Sequence, residues 1–399
     1  MSSEVVVEPY IVDDETIEHV IEPESVAELI DVLAGPLRAE RHFLISGGGT
    51  RLAYGNVGGP FDAVLSTRRL DRILQYEPDD MTIAVEPGCT ISQIQEAVRS
   101  ANQSFALDVA HPARATIGGS FATGMSGPRR IANGSLKDWV IGIAVVGPGG
   151  VVAKAGGMVV KNVTGYDMMH VHYGALGAFG VITRLNLKVF PAPSTSRALR
   201  VRYSSVDEAF AAATTILASQ LQPSSILVSS EAGSEFWQLD IRCDAPANAI
   251  DGLVGRVTQL VRGAAQTVEE STSGGGASAT MAFTDITDLS SPSSVVRLAV
   301  TASRQRDLLV RLNERRNVKV CSDPGSGMIY VQSEWSRIEG MLDPRVLGDA
   351  TLLAAPTAIK RQRDVFGALP SPAADVVRRM KEAFDPDRRF NRGRFVLGL

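Results

Sequence analysis

Cysteine is almost missing from this chain and histidine is scarce: three of one and five of the other in 399 residues. Cys89, Cys243 and Cys321 stand far apart, in odd number and without a CxxC pair. That argues against a disulfide framework, a structural zinc site or an iron–sulfur cluster, and leaves each as a small buried hydrophobe. The histidines stop at His172, so residues 173–399 contain none. No apolar run reaches the roughly 18 residues that a bilayer-crossing helix needs. The first residues, MSSEVVVEPYIVDDET, are acidic and lack the basic-then-apolar layout of a signal peptide. A surplus of charge is also missing: 40 basic residues against 44 acidic give −4, with no electrostatic footprint for nucleic acid. These absences describe a cytoplasmic globular protein, without a transmembrane segment and long enough for two domains.

Periodicity supplies the first elements. Val26, Leu29, Ile30 and Leu33 follow helical spacing behind a Ser25 cap. The run His42–Ile45 reads as a strand that breaks into Ser46-Gly47-Gly48-Gly49-Thr50. A second unit pairs the strand Met81–Val85 with a capped helix over Thr90–Val98. Trp139–Val146 and Gly180–Val189 read as strands, the latter half-exposed because it alternates in period two. Pro191-Ala192-Pro193 marks a domain boundary. A second domain is expected over 195–350, with a flexible loop at 271–278 by composition. A last helix spans Ala373–Phe384, and residues 370–399 return to the first domain.

Glycine is concentrated rather than rare: 15 fall in the 63 residues from Gly118 to Gly180, where the chain average predicts about six. The segment Ser46–Thr50 is either a tight turn or a nest of amides that lets a pyrophosphate approach the backbone. It has neither the lysine of a P-loop nor the spacing of GxGxxG. The small residues of Ala115–Gly127 cannot build a core, so they serve close backbone approach or tight turns. Gly174, Gly177 and Gly180 lead into a strand.

The ordered set ISGGGT, VEPGCT, ATIGGSFAT, VVKNVTGYD and GALGAFGVIT closely resembles flavoproteins of the vanillyl-alcohol oxidase / p-cresol methylhydroxylase type. Within that family it is most similar to FAD-binding subunits of bacterial glycolate oxidases. The closing FDPDRRFNRGRF resembles the family's FNPGR segment, with Arg392 in place of proline. The resemblance covers roughly residues 40–190 and 380–395. It implies an α+β fold: a two-subdomain FAD-binding domain over 1–192 and an α+β cap domain. FAD would rest on Ser46, Gly47, Gly48, Gly49, Thr50 and Arg51. Pro112, Thr116, Ile117, Gly118, Gly119, Ala122, Thr123, Ser126 and Gly127 would form a second contact, and Gly180, Val181 and Ile182 a third. Thr50 stands where members with a histidyl-flavin bond carry histidine, which implies non-covalent FAD.

By the same resemblance the substrate is glycolate or another small 2-hydroxy acid. The partners are a catalytic FAD subunit and an iron–sulfur subunit, on the inner face of the plasma membrane. Such chemistry needs a base and a carboxylate clamp. Candidates are Tyr166 or His111 for the first and Arg394 for the second, with Arg392 beside it. Related dehydrogenases carry a histidine-rich metal signature in the cap domain, and this chain has no histidine there, so no metal site is expected. Two other readings stay open: a stand-alone alcohol or hydroxy-acid oxidase, and a non-catalytic FAD-binding assembly subunit.

Overall fold

The computed structural model describes residues 9–35, 40–158, 167–271, 279–314 and 317–399. Two main sheets, beside two short two-stranded pairs, make the first domain. In one, strands Val20–Ile21, Ala63–Ser66 and Phe43–Ser46 run parallel. The helix Val26–Ala34 buries Leu29, Val32 and Leu33 in the core shared with this sheet, and Ser25 accepts from the Glu28 amide as its cap. In the other, five antiparallel strands run in the order Val152–Gly156, Val140–Val146, Val181–Lys188, Thr82–Val85, Ile73–Glu77. The helix Ile91–Arg99, with a complete capping box of Thr90 and Gln93, packs Ile91, Ile94 and Val98 into the core under it.

One expectation fails. Val181–Lys188 is buried at six of eight positions, not half-exposed. Its polar residues make internal bonds instead of meeting solvent: Thr183 donates to the Ala144 carbonyl (3.2 Å), and Asn186 accepts from Arg184 (2.7 Å). Alternation here marks satisfied polar groups in a central strand rather than a wet face. The expected flexible loop falls almost wholly at 272–278, outside the described residues, as do 159–166 of the VVKNVTGYD block with Lys161 and Tyr166.

Residues Thr195 to Ala354 contribute the eight strands of a third, antiparallel sheet. Helices Val206–Ala218 and Ile250–Val261 pack on it. Its core takes in Tyr54, Met125 and Leu176 of the first domain, so the two domains share one apolar seam. All three cysteines are buried and free, and Trp139, Trp237 and Trp335 are core residues.

The chain then returns through the helix Ser371–Phe384, a little longer than the sequence suggests. Phe384 packs against Phe179 (5.7 Å between ring centroids) and edge-on against His172 (6.2 Å). Burial pushes the His172 pKa down from 6.5 to about 4, so the ring is neutral in the fold. The unfolded chain takes up a proton there that the folded one refuses. Stability is therefore full above pH about 6.5 and falls as pH drops toward about 4. In urea unfolding, the advantage of wild type over His172→Phe should shrink by up to about 3 kcal/mol across that window. A difference independent of pH would contradict it.

Candidate functional site

The parallel sheet delivers its strand Phe43–Ser46 straight into the glycine loop. Gly49 sits at φ +71, in the left-handed region that favours glycine. The other two glycines answer a different demand. A Cβ on Gly48 would stand 1.7 Å from the Arg114 carbonyl oxygen, and one on Gly47 would stand 2.3 Å from Thr116 Oγ1. The loop thus lies flat on the 114–116 backbone, and any side chain would lift it off. The amides of Gly47, Gly49, Thr50 and Arg51 have no acceptor among the described residues, while that of Gly48 reaches Thr116 Oγ1 at 3.4 Å. Unpaired amides in succession form an anion-binding concavity.

The facing wall is the helix Ile117–Thr123, capped by Thr116. Its first amides are already used: Ile117 donates to Cys89 (2.8 Å), Gly118 to Pro87 (2.9 Å) and Gly119 to Thr116 Oγ1 (3.3 Å). This segment supplies a smooth wall rather than free donors. The third side comes from Leu176, Gly177, Gly180 and Ile182, and Asn391 closes it. Together they line a cleft that is partly open to solvent.

Of the residues picked out by resemblance, Ser46–Arg51, Thr116, Gly118, Gly119, Ala122, Thr123, Gly180 and Ile182 line this cavity. Pro112, Ile117, Ser126, Gly127 and Val181 do not. Ile117 and Val181 point into the core. Gly127 lies against Asp108, Ser126 meets the Tyr173 hydroxyl (3.1 Å), and the Pro112 carbonyl caps the Ser92 amide. Sequence reasoning passed over Tyr54, Pro87, Ser120, Leu176 and Asn391. All but Tyr54 carried a signal: Pro87 in VEPGCT, Ser120 in ATIGGSFAT, Leu176 in GALGAFGVIT and Asn391 in FNRGRF.

Of the expected catalytic side chains among the described residues, Arg394 lines this cavity and His111 does not. Tyr166 lies outside the described residues. His111 lines a separate cleft with Asp13, Thr50 and Lys360, and its Nε2 sits 2.9 Å from Asp288 Oδ2 across the domain seam. Arg394, expected as a carboxylate clamp, spends both terminal nitrogens on the protein itself. Nη1 pairs with Asp13 (3.0 Å), and Nη2 donates to the carbonyls of Leu52 (2.6 Å) and Tyr54 (2.8 Å). Lys360 pairs with the other oxygen of Asp13. Arg392 instead meets His42 (3.2 Å). His170 pairs with Asp167 (2.6 Å). Among the described residues no group of three or more His, Cys, Asp or Glu is placed to share a metal ion.

Residues 17–156 match the FAD binding domain family. Over 152 residues the chain is 38% identical to glycolate oxidase subunit GlcE of Escherichia coli (strain K12), covering 38% of this chain and 42% of that protein. It is 28% identical over 207 residues to glycolate oxidase subunit GlcD of Bacillus subtilis (strain 168), covering 52% and 44%. To the D-2-hydroxyglutarate dehydrogenase of Xanthomonas citri pv. viticola it is 32% identical over 162 residues, covering 41% and 34%. The match thus spans less than half the length of each of these relatives. A solved structure of alkyldihydroxyacetonephosphate synthase superposes with a TM-score of 0.71 at 17% identity, over 94% of this chain and 77% of that one, a likeness of fold. The glycine-loop cavity and the two small sheets are those of a flavin-binding domain. Residues 17–156 thus form an FAD binding domain, joined to a second α+β domain, and FAD is the cofactor.

Two substitutions separate cofactor holding from architecture. Gly48→Ala is expected to strip the purified protein of its visible flavin absorbance. Gly255→Ala, where a Cβ would meet nothing within 4 Å, should leave it unchanged. Arg394→Ala should lower the unfolding free energy by about 3–5 kcal/mol, because Asp13 loses a buried partner. A fully stable Arg394→Ala protein would return this arginine to the list of free clamps.

Proposed function

We propose that this chain is an FAD-dependent oxidoreductase subunit acting on the CH–OH group of a small 2-hydroxy acid, glycolate foremost. It would work in a complex of the glycolate oxidase type and hand its electrons to a partner. The observation that carries the reading is the run of unpaired amides at Gly47, Gly49, Thr50 and Arg51, set over a cavity that continues to the seam with the second domain. FAD would supply the hydride acceptor. The chain's own part is to seat the pyrophosphate on the loop and shield the substrate from water with the second domain. The relatives' names support the substrate class: glycolate, D-lactate and D-2-hydroxyglutarate all carry a hydroxyl beside a carboxylate.

Similarity to two different subunits of glycolate oxidases supports an assembly of related flavin subunits. Cys89, Cys243 and Cys321, each buried singly, offer no relay within the described residues, so an iron–sulfur partner would take the electrons. No helix among the described residues is long and apolar enough to cross a membrane, so contact with one would run through partners.

The test is the visible spectrum of the purified chain, followed by anaerobic addition of glycolate and of D-lactate. Bleached flavin bands would place the oxidation in this chain. Bands that persist alone but bleach when partner subunits are added would assign it a relay role. A colourless protein that binds partners would reject the reading in favour of an assembly subunit.

A further inference from the structure

The second domain's sheet presents one polar row to the first domain. Arg297 stands directly opposite Tyr330 on one neighbouring strand and Thr351 on the other, so the three share a face. Arg297 Nη2 donates to Thr351 Oγ1 (3.3 Å), and Nη1 lies 4.0 Å from Met125 Sδ, just beyond the helix Ile117–Thr123. That contact turns the row toward the flavin-binding domain. Arg51 approaches from the opposite side, at the end of the glycine loop. Its neighbours in charge are Tyr330, Arg297, Asp288 and Tyr54.

Arg51 Nη1 is shut off from solvent and has no hydrogen-bond partner. Burial pulls the pKa of this guanidinium down to about 10. Neither Arg51 nor Arg297 belongs to an ion pair among the described residues. The acids nearby are spoken for. Asp288 holds His111 and the Ser290 amide; Asp364 holds Asn56 and the amides of Phe366 and Leu397. The Tyr330 hydroxyl has no hydrogen-bond partner among the described residues, and burial pushes its pKa up to about 12, which keeps it a neutral donor. Two half-buried like charges at one seam without a counter-ion are costly, and an anion between them lowers the cost. A carboxylate suits the planar forks of two guanidiniums.

We propose that Arg51, Arg297 and the Tyr330 hydroxyl form a binding site for the carboxylate of a small 2-hydroxy or 2-oxo acid, at the seam where the cavity meets the second domain. The site deepens the function proposed above and rests on it. It puts substrate recognition in this chain rather than in a partner alone, and it assigns Arg51 to the substrate instead of the FAD pyrophosphate.

Calorimetric titration of the purified holoprotein with oxalate, beside its flavin content, tests this. Wild type should bind oxalate saturably and shift its flavin bands. Arg51→Gln and Arg297→Gln should keep their flavin and weaken oxalate binding roughly tenfold to hundredfold. Arg51→Lys and Arg297→Lys, which keep the charge, should retain intermediate affinity and guard against misfolding as the cause. Loss of flavin from Arg51→Gln with oxalate binding intact would assign this arginine to the cofactor's phosphates and overturn the proposal. Flavin-loaded wild type that ignores oxalate would overturn it too. Flavin-free protein that binds oxalate through both arginines would sink the flavoenzyme reading while sustaining the anion site.

Discussion

The cofactor loop is held in place by a knot of buried charge at the far end of the chain. Lys381 Nζ donates to Asp385 (2.7 Å) and to the carbonyls of Ala178 (2.8 Å) and Phe390 (3.0 Å), so all three of its protons are used. Asp385 in turn accepts from the amides of Arg389 and Phe390. That fixes the turn after the last helix, and the turn lets Phe390 run parallel beside Phe43. The Phe43 amide donates to the Arg389 carbonyl (2.7 Å), and Asn391 side-chain oxygen accepts from Ile45 (2.8 Å). Without this clasp the strand that delivers the glycine loop would lie at an unpaired sheet edge. A buried ion pair of this kind adds little net stability against an apolar substitute, but breaking it leaves an orphaned charge. Its effect is to specify one geometry.

A second constraint comes from the glycines. Two of the three in the loop are needed so that it can lie on residues 114–116, and the third so that the chain can reverse. The amides left without partners are a consequence of that packing. The anion cradle is thus what remains when backbone packs on backbone with no room for a side chain, and its shape is set before any ligand arrives.

How much was legible in advance follows the range of each interaction. Ser25 and Thr90 announced their helices because a cap and the amide that donates to it lie three residues apart. The glycine loop was legible as a motif. The pairing of Arg394 with Asp13 was not legible, because the two are 381 residues apart and nothing local marks them. The order of the eight strands that sets Arg297 beside Tyr330 and Thr351 is likewise invisible in periodicity, which reports a strand and not its neighbour. Val181–Lys188 shows the opposite failure, where a clear local pattern was overruled by what packed around it.

The bond between Ile45 and Asn391 joins residues 346 positions apart. At usual rates of synthesis the ribosome needs on the order of tens of seconds to cover that distance. For that time the nascent first domain carries an open strand edge, the surface on which chains stick to one another. The edge that delivers the glycine loop is therefore closed late, after translation of the whole second domain. A chaperone's opportunity lies in that interval.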